Sequence, residues 1–318
     1  MNTTVCSSHL LDDPLCFAQP SFPFYFSPKP SLLSWTDDLR LILAAPVLAY
    51  WSSSLFFHFL DISGWKWLDK YRIHESSEVK ARNLVTRSQV VWAVIFQQVV
   101  QTLVGIVWMS DQPAHNVNPA QDLRRIASTL EPVFTRVLGD HMRPELLARA
   151  TSFVYWWGIP LFQLLAAMFI IDTWQYFLHR LMHVNKFLYR QLHSWHHRLY
   201  VPYAFGALYN HPVEGFLLDT LGALLAEWAT GMSTRQALFL FVFSTFKTVD
   251  DHCGYSLPWD PLQLLTGNNA DYHDIHHQVI GIKSNFAQPF FVHWDTLLGT
   301  RMTREDVEHR RTKSSKAL

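Results

Sequence analysis

Cysteine is nearly absent from this chain: Cys6, Cys16 and Cys253 are the only three, and no two of them make a CxxC pair. That excludes a disulfide framework, a zinc ribbon and a thioredoxin-like redox site. Charge is scarce too, at 16% of 318 residues against 49% hydrophobic, which is apolar for a soluble protein and suits a chain embedded in lipid. Positive and negative charges cancel, and no Lys/Arg-rich block is interleaved with aromatics, so nucleic acid is not an expected partner. GxGxxG after a strand, CxxCH and HExxH are all missing, which argues against a built-in dinucleotide domain, a covalently attached haem and a zinc-hydrolase site. Residues 1–38, rich in Pro, Ser and Phe, lack the basic start, apolar run and cleavage site of a signal peptide and read as an irregular tail. Asn2-Thr3-Thr4 in that tail is a glycosylation sequon.

What the chain has instead is long uncharged runs. Leu41 to Leu60 carries no formal charge and has the ~20 residues that a bilayer-spanning helix needs. A polar loop follows with Lys66, Lys70, Arg72, Lys80, Arg82 and Arg87, whereas the preceding tail has only Lys29 and Arg40, so the positive-inside rule puts the loop in the cytosol. Gln89 to Trp108 returns across the membrane to a mixed-charge segment at 110–150, and Phe153 to Ile171 crosses back. Gly215 to Gly231 and Arg235 to Val249 are shorter, carry or adjoin Asp219, Glu227 and Lys247, and flank a Gly-Met-Ser-Thr turn, as a helical hairpin would. An even number of crossings there keeps the segments before and after it on one side. The expected fold is an all-α integral membrane protein, a bundle of about four or five membrane-embedded helices with a cytosolic histidine-rich metal-binding cap. The expected divisions are a tail at 1–38, two spans with their loops at 39–151, the histidine-bearing domain at 152–302 and a basic tail at 303–318. The last ten residues, HRRTKSSKAL, read as a solvated end that anionic headgroups would attract.

Seventeen histidines are present, and ten lie between His179 and His277. His179 and His183 (HRLMH) are four apart, one turn of a helix leaving the third span, so both imidazoles project from one face. His193, His196 and His197 (HSWHH) stand at i, i+3 and i+4, which predicts another single helical stripe, and His273, His276 and His277 (HDIHH) repeat it. Eight converging imidazoles repel if charged and waste polarity if buried neutral; a metal resolves both. Imidazole suits zinc, copper, nickel and iron alike. One tetrahedral zinc needs four ligands, so eight point to two ions, and a redox pair beside a membrane suggests oxygen activation on a lipid. Asp172, seven residues before His179 on nearly the same helix face, is an intramembrane carboxylate and a candidate acceptor for a ligand imidazole. Asp274, Asp250 and Asp251 are weaker candidates for that role, Cys253 reads as a buried inert thiol, and Tyr176 as packing or slot lining.

The three boxes, HxxxH, HxxHH and HxxHH, identify the chain as a member of the fatty-acid hydroxylase superfamily. Around them DTWQYFLHRLMH, VPYAFGAL, PVEGFLLDTLG, KTVDDHCGY, YHDIHH and GIKSNFAQPFF, with KYRIH at 70–74, resemble fungal sphinganine C4-hydroxylases over roughly residues 40–300. The gap of nine residues from His183 to His193 resembles hydroxylases and sterol oxidases more than acyl-CoA desaturases. The resemblance implies a diiron monooxygenase of the endoplasmic reticulum that uses O2 to hydroxylate C4 of a sphingoid base or dihydroceramide. Its electrons would come from cytochrome b5 and an NAD(P)H-dependent reductase, and its partners would be the membrane and a long-chain lipid. It also implies that His252 completes the metal set. His211, explained locally by its Asn-His-Pro turn, stays outside the ligand set as a candidate to orient a ligand, and Trp294 and Asp295 (HWDTLLGT) read as structural. Two other readings use the same residues: a sterol C4-methyl oxidase or other lipid hydroxylase, and a non-catalytic membrane protein holding structural zinc.

Overall fold

The computed structural model describes residues 22–110 and 118–316; Asn2 with its sequon, Cys6 and Cys16 lie outside the described residues. Among these residues there is no β-strand, only isolated bridges such as Arg72 with Tyr255. The principal helices are α1 (Asp38–Ile62), α2 (Arg87–Ser110), α3 (Pro119–Leu138), α4 (Pro144–Phe153), α5 (Ile159–Val184), α6 (Gly222–Thr230), α7 (Thr234–Asp251), α8 (Ala270–His277) and α9 (Arg304–Lys316). A π-helical turn at Val154–Gly158 joins α4 to α5. Among the described residues, three helical stretches are long and apolar enough to cross a bilayer: Asp38–Ile62, Arg87–Met109 and Pro144–Val184. All three contain the runs expected from sequence. The expectation of four or five embedded helices counted the hairpin arms as well, and neither α6 nor α7 belongs to this apolar set.

The described residues form two compact units. In the first, residues 22–37 and 118–165, α3 starts at Asn118, whose side chain accepts from the Gln121 amide ahead of Pro119 at the first helical position. There Tyr25 donates its hydroxyl to the Trp156 carbonyl, and Phe22 and Phe26 set their rings against Trp156.

The second unit, residues 38–110 and 166–316, carries every histidine of the three boxes. Here α1 packs along α7. Trp92, Phe96, Val99, Leu103 and Val107 form an exposed stripe on α2, while Gln97 and Gln98 are buried and Trp51 donates to Gln98 at 2.9 Å. Apolar side chains outward and polar ones inward is the arrangement a helix adopts when lipid is its solvent. The VPYAFGAL segment is a buried connection ending in a 3-10 helix, Ala204–Leu208. Its backbone polar groups are satisfied from outside: Asn83 accepts from the Val201 amide and donates to its carbonyl, and Tyr50 donates to the Phe205 carbonyl at 2.6 Å.

Two helices joined by a turn occupy the arms of the predicted hairpin. Its first arm runs from a π-helical turn, Phe216–Leu221, into α6, which ends on Gly231 at φ 59°, the left-handed region that favours glycine. Ser233 and Gln236 then form a reciprocal capping box that starts α7. The chain's end differs from expectation in one respect: residues 308–313 are exposed, as a solvated end would be, but they lie on α9 where an irregular tail was expected. Thr303 and Asp306 cap one another's amides, and Val307 is buried with Ile275 and Met302.

Gly281 packs its backbone onto the end of α8. A Cβ there would lie 1.9 Å from the Ile275 carbonyl oxygen, a backbone atom that cannot rotate away. Gly281→Ala is therefore expected to lower stability by about 2 to 3 kcal/mol, read as an earlier unfolding midpoint in detergent; an unchanged midpoint would show that the loop relaxes freely.

Candidate metal centre

The first box forms as the spacing predicts, with His179 and His183 one turn apart at the end of α5. The second does not. Tyr189–His193 is π-helical, closed by the Ser194 amide on the Tyr189 carbonyl, and His196–Arg198 is a separate 3-10 turn. His193, His196 and His197 therefore share no single stripe. The third box lies on α8, where His273 and His277 face one way, while His276 is rotated about 100° from His277.

The nine histidines gather into two groups whose ligand atoms lie within 4.8 Å of one another: His179, His183, His193, His197 and His276 in one, His196, His252, His273 and His277 in the other. Each HxxHH box is thus divided between the two groups, and His252, at the C-terminal end of α7, stands with the second.

Hydrogen bonding fixes how these rings point. Nδ1 of His179 donates to the Phe286 carbonyl at 2.8 Å, that of His196 to Tyr209 at 3.1 Å and that of His252 to Thr248 at 2.8 Å. His276 and His277 donate likewise to Ser284 and Leu199, both at 2.7 Å. A carbonyl only accepts, so Nδ1 carries the proton and Nε2 presents a lone pair. These Nε2 atoms converge. His179 and His193 approach to 3.0 Å, His193 and His197 to 3.0 Å, His183 and His197 to 3.2 Å, and His273 and His277 to 3.0 Å, while Nε2 of His252 and His276 has no partner among the described residues.

Protonation does not relieve the crowding. Burial, and then the neighbouring imidazoles, holds His193, His197, His273 and His277 well below histidine's ordinary range; burial takes His196 down to about 4 and His252 and His276 to about 3. Buried lone pairs aimed at one another, with the opposite ring nitrogen tied to the backbone, are what two imidazole-bound metal ions require.

The carbonyls that orient His179 and His276 belong to one loop, 284–291, and buried carboxylates hold it. Asp295 accepts from the Phe286 amide at 3.1 Å and the Ala287 amide at 2.6 Å, and also from Thr300 and Tyr272. Asn285, at φ 56°, ties the same loop to Tyr272 and Met302. The structural reading of Asp295 stands, with a larger reach than a cap. Trp294 donates to Thr173, and Tyr176, fully buried, packs on Trp294 and Phe286.

The candidates for orienting an imidazole are placed otherwise than expected. Asp172 accepts from the backbone amides of Phe290 and Phe291, at 3.0 and 2.6 Å, and so holds the loop where an imidazole bond was expected. Asp274 turns outward from α8 to His74 at 2.8 Å and Arg304 at 2.5 Å. His211 accepts from the Val213 amide as a helix cap and packs on Trp195. Asp251 pairs with Lys247, Asp250 accepts from Gln263, and Cys253 is a buried free thiol. A carboxylate that does meet an imidazole of the two histidine groups is Glu214, whose Oε1 lies 2.5 Å from Nδ1 of His193. Only its place in PVEGFLLDTLG, beside a charged position in an apolar run, marked it in the sequence.

The His74–Asp274 pair carries a pH signature. The hydrogen bond that His74 donates to Asp274 raises the His74 pKa above 6.5, with burial opposing it. Stability from a raised histidine is fully present below its unfolded value and disappears as pH rises through the folded one. The unfolding midpoint of the natural chain should exceed that of His74→Gln near pH 6 and converge with it near about pH 9; a pH-independent difference would refute the assignment.

The fatty acid hydroxylase family matches residues 164–300. A sphingolipid C4-hydroxylase of Saccharomyces cerevisiae is 49% identical over 273 residues, covering 86% of this chain and 74% of that protein. Sphinganine C4-monooxygenase 1 of Arabidopsis thaliana is 45% identical over 287 residues, 88% of this chain and 96% of that one. A C-4 methylsterol oxidase of Schizosaccharomyces pombe is 35% identical over 161 residues, 49% of this chain and 50% of its own. No solved structure matches. Relatives this similar, spanned over most of their length, together with the matched histidine-bearing segment, show that the chain belongs to the fatty acid hydroxylase family.

Proposed function

We propose that this chain is a sphinganine C4-hydroxylase, an oxidoreductase of sphingolipid metabolism that makes phytosphingosine-type products. The observation that carries the chemistry is the pair of histidine groups with lone pairs converging and Nδ1 atoms tied to the backbone. The substrate follows from similarity. Relatives named for C4 hydroxylation of sphingolipids or sphinganine match 86% and 88% of this chain, a rice protein named a very-long-chain aldehyde decarbonylase matches 74%, and the methylsterol oxidase about half.

The proposed ligands are His179, His183, His193, His197 and His276 for one iron and His196, His252, His273 and His277 for the other. The chemistry that bound iron would supply is O2 activation, with one oxygen atom ending in the C4 hydroxyl and the other in water, given two electrons from an external donor and two protons. The protein's own part is position and dryness. Buried rings exclude bulk water, backbone carbonyls fix the tautomers of His179, His196, His252, His276 and His277, and Glu214 holds His193.

The donor in this reading is cytochrome b5 with its NAD(P)H-dependent reductase, and the chain is a multi-pass protein of the endoplasmic reticulum with its metal cap toward the cytosol. Support for the sidedness comes from the basic loop after α1. The Ile73 amide donates to the Gly254 carbonyl at 3.0 Å and His74 reaches Asp274, so that loop and the third box share a side.

Expression in a host unable to make phytosphingosine tests the reading. Long-chain-base profiling is expected to show 4-hydroxylated base, dependent on O2; no such base alongside altered methylsterols would move the assignment to a sterol oxidase.

A further inference from the structure

A cavity beside the histidine groups carries more carboxylate than the metal ligands account for. His193 of one group and His196, His252 and His273 of the other line it, and so do Glu214 and Asp219. Asp219 has one hydrogen-bond partner there, Asn210 at 3.4 Å, and no Lys or Arg pairs with it among the described residues. Glu214, 1% exposed, uses Oε1 on His193, while its Oε2 is buried and, apart from a weak contact of the carboxylate with the His211 backbone amide, has no partner among the described residues. The third acid of the wall, Asp251, is already neutralised by Lys247. A buried carboxylate oxygen with nothing to accept from is costly unless a donor or a cation arrives with the ligand.

We propose that this cavity is a cation-binding headgroup site in which Asp219, with Glu214, receives the protonated amine of a free long-chain base. The inference rests on the C4-hydroxylase reading and names its substrate form. In a sphingoid base the amine on C2 is three bonds from C4, so a C4 held at the metal centre brings the amine within a few ångströms of it. A cavity walled by both histidine groups and by unpaired carboxylate meets that requirement. An N-acylated base is neutral at that position and leaves the carboxylates uncompensated.

The test reads binding without turnover. Purified full-length protein loaded with iron is titrated with radiolabelled sphinganine and, separately, N-acetylsphinganine, under nitrogen. Sphinganine should bind at least about tenfold more tightly than N-acetylsphinganine, and Asp219→Asn should remove most of that margin by weakening sphinganine alone. Asp219→Glu, which keeps the charge, should restore much of it. Equal binding of the two lipids by the natural chain overturns the proposal whatever the variants do, and so does a margin that survives Asp219→Asn. An equal loss for both lipids assigns Asp219 to structure. Failure of the hydroxylase reading shows separately, as bound sphinganine left unconverted when O2 and reductant are supplied.

Discussion

His276→Ala takes formation of 4-hydroxylated base below detection while the protein still accumulates in membranes. His276 is the only member of the third box in the five-histidine group, and its Nδ1 bond to the Ser284 carbonyl leaves Nε2 free to face the other four rings. Its loss opens that group but leaves His273 and His277 on the same helix with His196 and His252. Metal content measured per purified chain should therefore fall by about half, the ion of the four-histidine group being retained. On the apolar helices the substitution touches only His179 and His183 at the end of α5 and leaves the uncharged runs intact, so membrane retention is the control. Undiminished turnover in His276→Ala would remove the diiron proposal altogether.

Glu214→Gln comes next in size. Glutamine keeps an oxygen that can accept from Nδ1 of His193 but drops the charge that makes the imidazole a stronger donor to metal. Partners of this kind are worth about 10- to 100-fold in metal affinity or activity. Turnover by Glu214→Gln should drop within that range, and Glu214→Ala, which also leaves Nδ1 unpaired in a buried site, should drop further. The comparison is made on membranes with matched protein content. Full activity in the glutamine variant would mean that the carboxylate acts through geometry alone.

How much of this was legible in the sequence depends on the range of the interaction involved. The three apolar spans and the hairpin were readable because uncharged length and a Gly-Met-Ser-Thr turn are local properties. The nine histidines brought together were named too, eight from spacing and His252 from family resemblance. Their division was not, because the π-helical turn at 189–193 and the 3-10 turn at 196–198 depart from the regular helix that i, i+3, i+4 spacing assumes. For α8 the signal was present: His273 and His277, four apart, belong on one face, and His276 lies off it. Asp172 was read as a partner for a histidine on its own helix, but its carboxylate meets backbone amides 118 and 119 residues away. Only the tertiary fold brings those amides near, as it brings Glu214 to His193 across 21 residues. The terminal helix was missed for a different reason. Its Thr-Arg-Glu-Asp start is a local cap that composition hid behind a run of basic residues.

The division of the HxxHH boxes has a mechanical meaning. His196 and His197 are chain neighbours, as are His276 and His277, and in each pair one ring faces each group. Two covalent yokes therefore span the interval between the proposed ions, and a peptide bond does not stretch. Domain closure, helix sliding or a change of lipid thickness can displace the centre as one body but has little purchase on its internal spacing, so adjustment during a catalytic cycle falls to side-chain rotation within each yoke.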